Sequence, residues 1–549
     1  MSAETTSPTP STAIAVNLTD FPGLKRLATT YSTGFEQLAP YYAGDPSDDS
    51  AWSAAITSAQ RSDGESRQIA RVVQAQLRTR DAPASAVQAA DRLADPKTVA
   101  IVTGQQAGLF GGPLYTLLKA ITAIRLATDI EQRFEVPTVA VFWVDAEDHD
   151  LDEIRSCNVL DSDQQLVPVA LDLDAPPGTP ACAVSLGPEI NTALDRLAAA
   201  LPVTDFTNDV LAALRNSYAE GTGLVTGFAS WLERLLGPRG LVVFDSSDRH
   251  AKPLVTDLFV RELSNLGVTS SLARSAGAQL QAAGFHAQVE PPPDGVALFL
   301  QDGSRQSIRH DGGQLRIGDR RLEPSALVTR VERDAACLSP NVLLRPLVQD
   351  RLFPTICCVP GPNELAYLGQ LKQVYHHFNL SMPLMAPRLS ATIVDTAVVK
   401  FLRRTNIALD ALQPQDEAAL NRLLGSQLPP DVERTLNTAQ TTTDEAITAV
   451  IAAVGAVDPT LSGAAESTRG RMSRDLANLQ NKVVQAAKRK DQTLRRQFSR
   501  AQSQMFPRGS AQERVVAGVS LLNRYGPALI DRLLNDSALD TTHHWVLAV

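Results

Sequence analysis

The stretch "VFWVDAEDHDLDEI", residues 141–154, runs without a linker from an apolar segment into six carboxylates and one histidine between Asp145 and Glu153. Carboxylates grouped this closely can bind an ammonium group and then accept its proton, which is the work of a general base. With an imidazole among them they could instead hold a divalent ion, and the set for that would be His149 with Glu153 four residues on and Asp145. The bland alternative is a solvated acidic loop that caps the following helix. Phe142 and Trp143 stand immediately before the cluster, so its base is apolar, and a carboxylate drawn out of water there becomes a better proton acceptor. Asp145, Glu147, Asp148 and His149 are therefore the candidates for proton transfer and Asp150 for binding, with no metal assigned.

Three other polar loops share the setting of this one, the end of an apolar β-branched run. "TGQQAGLFGGP" offers Thr103, Gly104, Gln105 and Gln106 before Gly108, Gly111, Gly112 and Pro113. It has neither the terminal Lys-Ser/Thr of a phosphate loop nor a clean G-x-G-x-x-G, so the choice lies between a flexible turn and amides presented to a polar ligand. "SSDRH" follows "GLVVFD", and "PGPNE", with Asn363 and Glu364, follows "TICCV". Ligands of open parallel sheets sit beyond the carboxyl ends of the strands, so the four loops together predict one cleft. Cys357 and Cys358 are neighbours in an apolar strand and point to opposite faces as core residues. His376 and His377 belong to a helix end.

The elements that position these loops are legible from periodicity. "TVAIVTG" (98–104), the helical "LYTLLKAITAIRLATDI" and "TVAVFWV" (138–144) form a βαβ unit, which requires parallel pairing and a right-handed crossover. With "GLVVFD" (240–245) and "TICCVPG" (355–361) the expected class is α/β, a Rossmann-like parallel-sheet core. That core is expected in three parts, 96–155, 220–264 and 338–395. Around them lie a helical segment over 1–95, a first insertion over 156–219, a β-rich second insertion over 265–337 and a helical region over 396–549. Apolar or small residues spaced three and four apart, from Leu436 to Val457 and from Met472 through Lys490 to Met505, flank "DPTLSG" and predict a coiled-coil hairpin at about 430–505. Two helices bury only one seam, so a homodimer is expected.

A chain of 549 residues with 44% apolar and 20% charged residues is long enough for several cores. Its net charge of -9 argues against a nucleic-acid partner. No apolar run approaches the ~18 residues of a membrane helix, and the Ser/Thr/Pro-rich start lacks a secretory pattern. Five scattered cysteines without C-x-x-C indicate reduced thiols and a cytoplasmic location.

Taken together, "VTGQQAGLFGGPLYTLLKAI", "VPTVAVFWVDAEDHDLDEI", "NVLLRPLVQDRLFPTICCVPGPNELAYLGQLKQVYHHF" and "MPLMAPR" closely resemble the BshC family of bacillithiol biosynthesis. The resemblance implies a carbon–nitrogen ligase that joins cysteine to glucosaminyl malate in the last step of that pathway. ATP is expected from the chemistry rather than from a motif, because joining a carboxylate to an amine in water is uphill. The family is also likened to class I aminoacyl-tRNA synthetases. On that likeness "GPLYTLL" stands at the first signature, with Tyr115 and Leu118 where histidines would be, and "MAPRLS" stands loosely at the second, with Arg388. Tyr115 and Arg388 thereby join the expected substrate-binding residues. Two other readings stay open: a metal-dependent hydrolase built on Asp145, Glu147, His149 and Asp150, and a non-catalytic nucleotide-binding coiled-coil scaffold.

Overall fold

The computed structural model describes residues 13–425, 430–490, 492–536 and 538–549; the Ser/Thr/Pro-rich stretch 1–12 and the side chain of Lys490, expected on the coiled-coil stripe, lie outside what is described. Two compact units emerge. One runs through Ile393 and takes in Ser510–Leu547, and the other comprises Val394–Gly509.

The first unit is built on a five-stranded parallel sheet. Its core strands in chain order are Val99–Gln106, Thr138–Asp145, Val242–Asp245 and Thr355–Cys358, with Leu384–Met385 as a short fifth. These segments read as unbroken apolar runs because both faces are covered. In the first strand Val99 and Ile101 enter one hydrophobic cluster while Ala100 and Val102 enter the other. The second strand divides in the same way, with Phe142 and Val144 on one side and Val141 and Trp143 on the other. Cys357 lies in the first cluster and Cys358 packs against the second, as the alternation requires.

Across the sheet the order is fifth, fourth, first, second, third. The chain thus builds outward in one direction from the first strand and in the other from the fourth. Between those two strands the loops part to opposite faces and leave a crevice beyond their carboxyl ends. The 21-residue helix Leu114–Phe134 makes the crossover from first to second strand.

The first insertion holds the antiparallel hairpin Ser156–Leu160 with Leu166–Ala170 and the helices Glu189–Ala200 and Thr207–Ser217. The second forms an antiparallel sheet with Gly295–Asp302 and Ser304–Asp311 at its centre. Two readings of helical ends are corrected. The segment expected to be wholly helical up to residue 95 contains the strand Ala13–Asn17, and the C-terminal region ends in the strand His543–Ala548, which pairs with it antiparallel. Each strand finds its partner more than five hundred residues away, which local periodicity cannot register. The segment Ser510–Leu547 accordingly belongs with the α/β unit.

In the second unit, helices Pro430–Val454 and Leu461–Lys490 flank the expected break, and Gln492–Met505 follows. The first of these stops before Val457, which lies in the turn and is 82% exposed. No helix among the described residues is long and apolar enough to cross a membrane.

Candidate functional site

At the crevice between the first and fourth core strands lies a cavity of about 680 Å³. The first strand delivers Gly104, Gln105 and Gln106 to it, and its register sets Gln106 beside Asp145 of the second strand. Gly104 has no side chain for a reason: a Cβ there would meet the Trp143 carbonyl oxygen at 2.8 Å.

The acidic loop is folded back on itself and tied from two sides. Ala181 N–H donates to the Asp148 carbonyl and Cys182 N–H to that of Ala146, both at 2.8 Å. These bonds from the first insertion hold the loop against the sheet end. Within it the Asp148 carboxylate accepts from Gln106 Nε2 at 2.6 Å and from the His149 backbone N–H at 2.7 Å, and lies 3.5 Å from the Arg305 guanidinium. Arg305 Nη1 also reaches His149 Nδ1 at 3.2 Å. A guanidinium can only donate, so Nδ1 accepts and the ring carries its proton on Nε2. The Phe299 ring lies under Arg305, 4.1 Å from the centroid, and Pro340 O accepts from its other nitrogen. The second insertion thus contributes a fixed cation, Arg305, to the acidic loop.

Asp145 stands 3.8 Å from Arg345, whose guanidinium also donates to the Tyr367 hydroxyl at 2.9 Å. Burial raises the Asp145 pKa and Arg345 opposes the rise. From the long helix, Lys119 donates to Gly104 O at 2.8 Å and Gln105 Oε1 at 2.9 Å and pairs with Glu364. Burial lowers the Lys119 pKa and Glu364 resists this. Glu364 in turn accepts from Gly361 N–H at 2.8 Å, which closes the first turn of helix Pro362–Leu368. Arg388 is clamped by Glu513 through two bonds of 2.6 and 2.9 Å, and Tyr115, its hydroxyl pushed up to about 12 by burial, lies beneath it.

Asp145, Asp148, His149, Gly104, Gln105, Gln106, Tyr115, Asn363, Glu364 and Arg388 line this one cavity. Three expected site residues do not reach it. Thr103 is fully buried, and its hydroxyl donates to Val359 O at 2.8 Å, tying the first core strand to the chain beyond the fourth. Glu147 turns the other way, to Lys252 at 2.6 Å, because the chain direction reverses along the loop. Asp150 caps the short helix Leu151–Ile154. The third-strand loop "SSDRH" also stays outside; its Ser246 hydroxyl accepts from Ala146 N–H behind the acidic loop.

The same geometry does not gather the residues of the metal reading. Asp145, Glu147 and Asp148 each face a different cation, and among the described residues no three His, Cys, Asp or Glu side chains gather as an ion would need.

Lys119, Arg305, Arg345, Tyr367 and Arg514 line the cavity without having been foreseen as site residues, and Glu153, considered only as a metal ligand, lines it too. A lone lysine in the apolar "LYTLLKAITAI" was a usable signal. Arg305 carries none, since it arrives from an insertion with no motif.

The comparisons with known proteins agree with this architecture. Residues 12–389 match the family described as "Bacillithiol biosynthesis BshC, N-terminal Rossmann-like domain", and residues 391–549 match its "C-terminal coiled-coil domain". A Salinibacter ruber protein named "Putative cysteine ligase BshC" is 34% identical over 95% of this chain and 96% of its own. Proteins of the same name from Geobacillus thermodenitrificans and Koribacter versatilis are each 30% identical, over 93% and 82% of this chain and 96% and 84% of their own. With both family domains matched end to end on a parallel-sheet core and a helical C-terminal region, the chain belongs to the BshC family of bacillithiol biosynthesis.

Proposed function

We propose that this protein is the amide-forming ligase that joins the cysteine carboxylate to the amine of glucosaminyl malate, the last step of bacillithiol formation, with ATP consumed. The observation that carries the reading is the mixed charge of the cavity. Asp145, Asp148 and Glu153 share one wall system with Arg305, Arg345 and Arg514. One proposed substrate is an amine bearing two carboxylates and the other is an amino acid, so both need sites for opposite charges side by side.

In this reading Asp148 receives the sugar ammonium and takes its proton, while Gln106 and Arg305 hold the carboxylate in place. Asp145 binds the second ammonium. The guanidinium groups of Arg345 and Arg305 bind carboxylates, and His149 Nε2–H donates to a substrate oxygen. Arg388, already neutralised by Glu513, orients Tyr115 and shapes the wall.

The donor set fits ATP. The unpartnered buried hydroxyl of Thr116, at the head of the long helix, and the Arg514 guanidinium would hold phosphate oxygens. When bound, ATP supplies the activation of the cysteine carboxylate and its leaving group. Purified protein given glucosaminyl malate, cysteine and ATP should form bacillithiol together with ADP or AMP; nucleotide binding without product would return the scaffold reading.

A cytoplasmic location is part of the proposal and is supported by five free cysteines. So is a homodimer: Val450, Leu461, Met472 and Leu479 on the long helices are between 40% and 50% exposed, and a second copy would cover them. Sedimentation at micromolar concentration should give twice the 59.0 kDa chain mass, and a monomer there refutes the dimer.

A further inference from the structure

Beside the main cavity is a second one of about 280 Å³, which shares Gln105, Gln106, Tyr115, Glu153 and Arg514 with it. Its floor is the first turn of the helix Leu114–Phe134, where aligned peptide dipoles leave a positive pole. Thr116, in that turn, lines the cavity and is 1% exposed, and its Oγ1 has no hydrogen-bond partner. A buried hydroxyl left unpaired is costly, so an unpaired one on a cavity wall marks the place of an absent partner.

The surrounding loop is shaped to keep that place open. Gly112 has φ +68, and a Cβ on it would stand 3.3 Å from Thr116 Oγ1. A Cβ on Gly108 would meet Gly112 Cα at 2.9 Å, so two glycines let the backbone fold tightly around the hydroxyl. Arg514, which makes no ion pair among the described residues, lines both cavities and brings a cation to their junction. The one acid in the wall, Glu153, accepts from Gln106 Nε2 at 3.1 Å.

We infer that this second cavity is an oxyanion subsite that holds the anion set free in the reaction, pyrophosphate at adenylation or phosphate when the amine displaces it from an acyl phosphate, with Thr116 Oγ1 and Arg514 as its donors. The role as a leaving-group site rests on the ATP-dependent reading above. Amide formation with ATP breaks one phosphoanhydride bond and leaves one carboxylate oxygen on phosphorus. The products are then ADP with inorganic phosphate, or AMP with pyrophosphate. Pyrophosphate leaves when an acyl adenylate forms, whereas phosphate leaves only when the amine displaces it from an acyl phosphate, and a cavity joined to the main one at Tyr115 and Arg514 is placed to receive either anion.

The test measures inorganic phosphate and pyrophosphate binding to the full chain by calorimetry, with neither cysteine nor sugar present. Thr116→Val keeps the shape and removes the hydroxyl. It should weaken the better-bound anion roughly ten- to hundredfold. The melting temperature without anion should stay the same or rise, since an unpaired buried hydroxyl is gone. The preferred anion identifies the products: phosphate with ADP, pyrophosphate with AMP. Wild-type protein that binds neither anion, or Thr116→Val protein that binds both as well as wild type, overturns the subsite. If binding depends on Thr116 but no amide is ever formed, the ligase reading falls and the anion site stands.

Discussion

Asp148→Asn is expected to lower the turnover of bacillithiol formation by about two to four orders of magnitude, the usual range for a general acid or base. The change keeps the shape of the side chain: the amide oxygen can go on accepting from the His149 N–H, while the new NH2 faces Gln106, whose side-chain amide can turn to accept from it. What disappears is the charge that receives the ammonium and the oxygen that takes its proton. Stability should change little, because the side chain is 27% exposed and the Arg305 nitrogen lies 3.5 Å away, so the lost pairing is weak. Asp163→Asn, an exposed carboxylate beyond the site, serves as the control and should leave turnover unaltered. Equal turnover of the two variants would make the loop an acidic surface feature and remove Asp148 from the mechanism.

Lys252→Met should cost about 3–5 kcal/mol of stability, the penalty for leaving one half of a buried ion pair alone. Glu147 and Lys252 meet at 2.6 Å with their side chains only 9% and 4% exposed. Burial raises the Glu147 pKa, and Lys252 is the main group that counters it. Without Lys252 the carboxyl can only shift further upward. A carboxyl whose folded-state pKa exceeds its unfolded value takes up a proton on folding, so the deficit of Lys252→Met should shrink as the pH falls and grow as it rises. Adding Glu147→Gln removes the stranded charge and should recover most of the loss. Melting temperatures of the single and double variants from acid to neutral pH decide this. A single variant as stable as wild type would mean that Glu147 reaches water.

Glu147 and Asp148 also show how far one-dimensional reading reaches. In sequence they are adjacent acids with equal claims, yet one lines the cavity and the other is buried behind it. No local pattern separates them, because the difference comes from the path of a loop that is held by Ala181, Cys182 and Ser246 from distant parts of the chain. Thr103 fared likewise: its hydroxyl looked like part of the Gln105–Gln106 surface and instead binds the chain beyond the fourth core strand.

The sequence by itself determined the parallel-sheet core and the end of it that carries the site. Apolar β-branched runs buried on both faces leave no polar face to misassign, and each stops at a cluster of polar residues. It determined too that Gln105, Gln106, Asp145, Asp148 and His149 would share a cleft, since a right-handed crossover places consecutive strands side by side. Only the tertiary structure decided the charge of that cleft. Lys119, Arg305, Arg345 and Arg514 come from a helix, an insertion, a segment before the fourth strand and the C-terminal return, and none is near the acidic loop in sequence. Read alone, the loop was a receptor for amines. Folded, its carboxylates face guanidinium groups across one cavity, because long-range packing rather than local spacing sets which charges a solvent-poor site must balance.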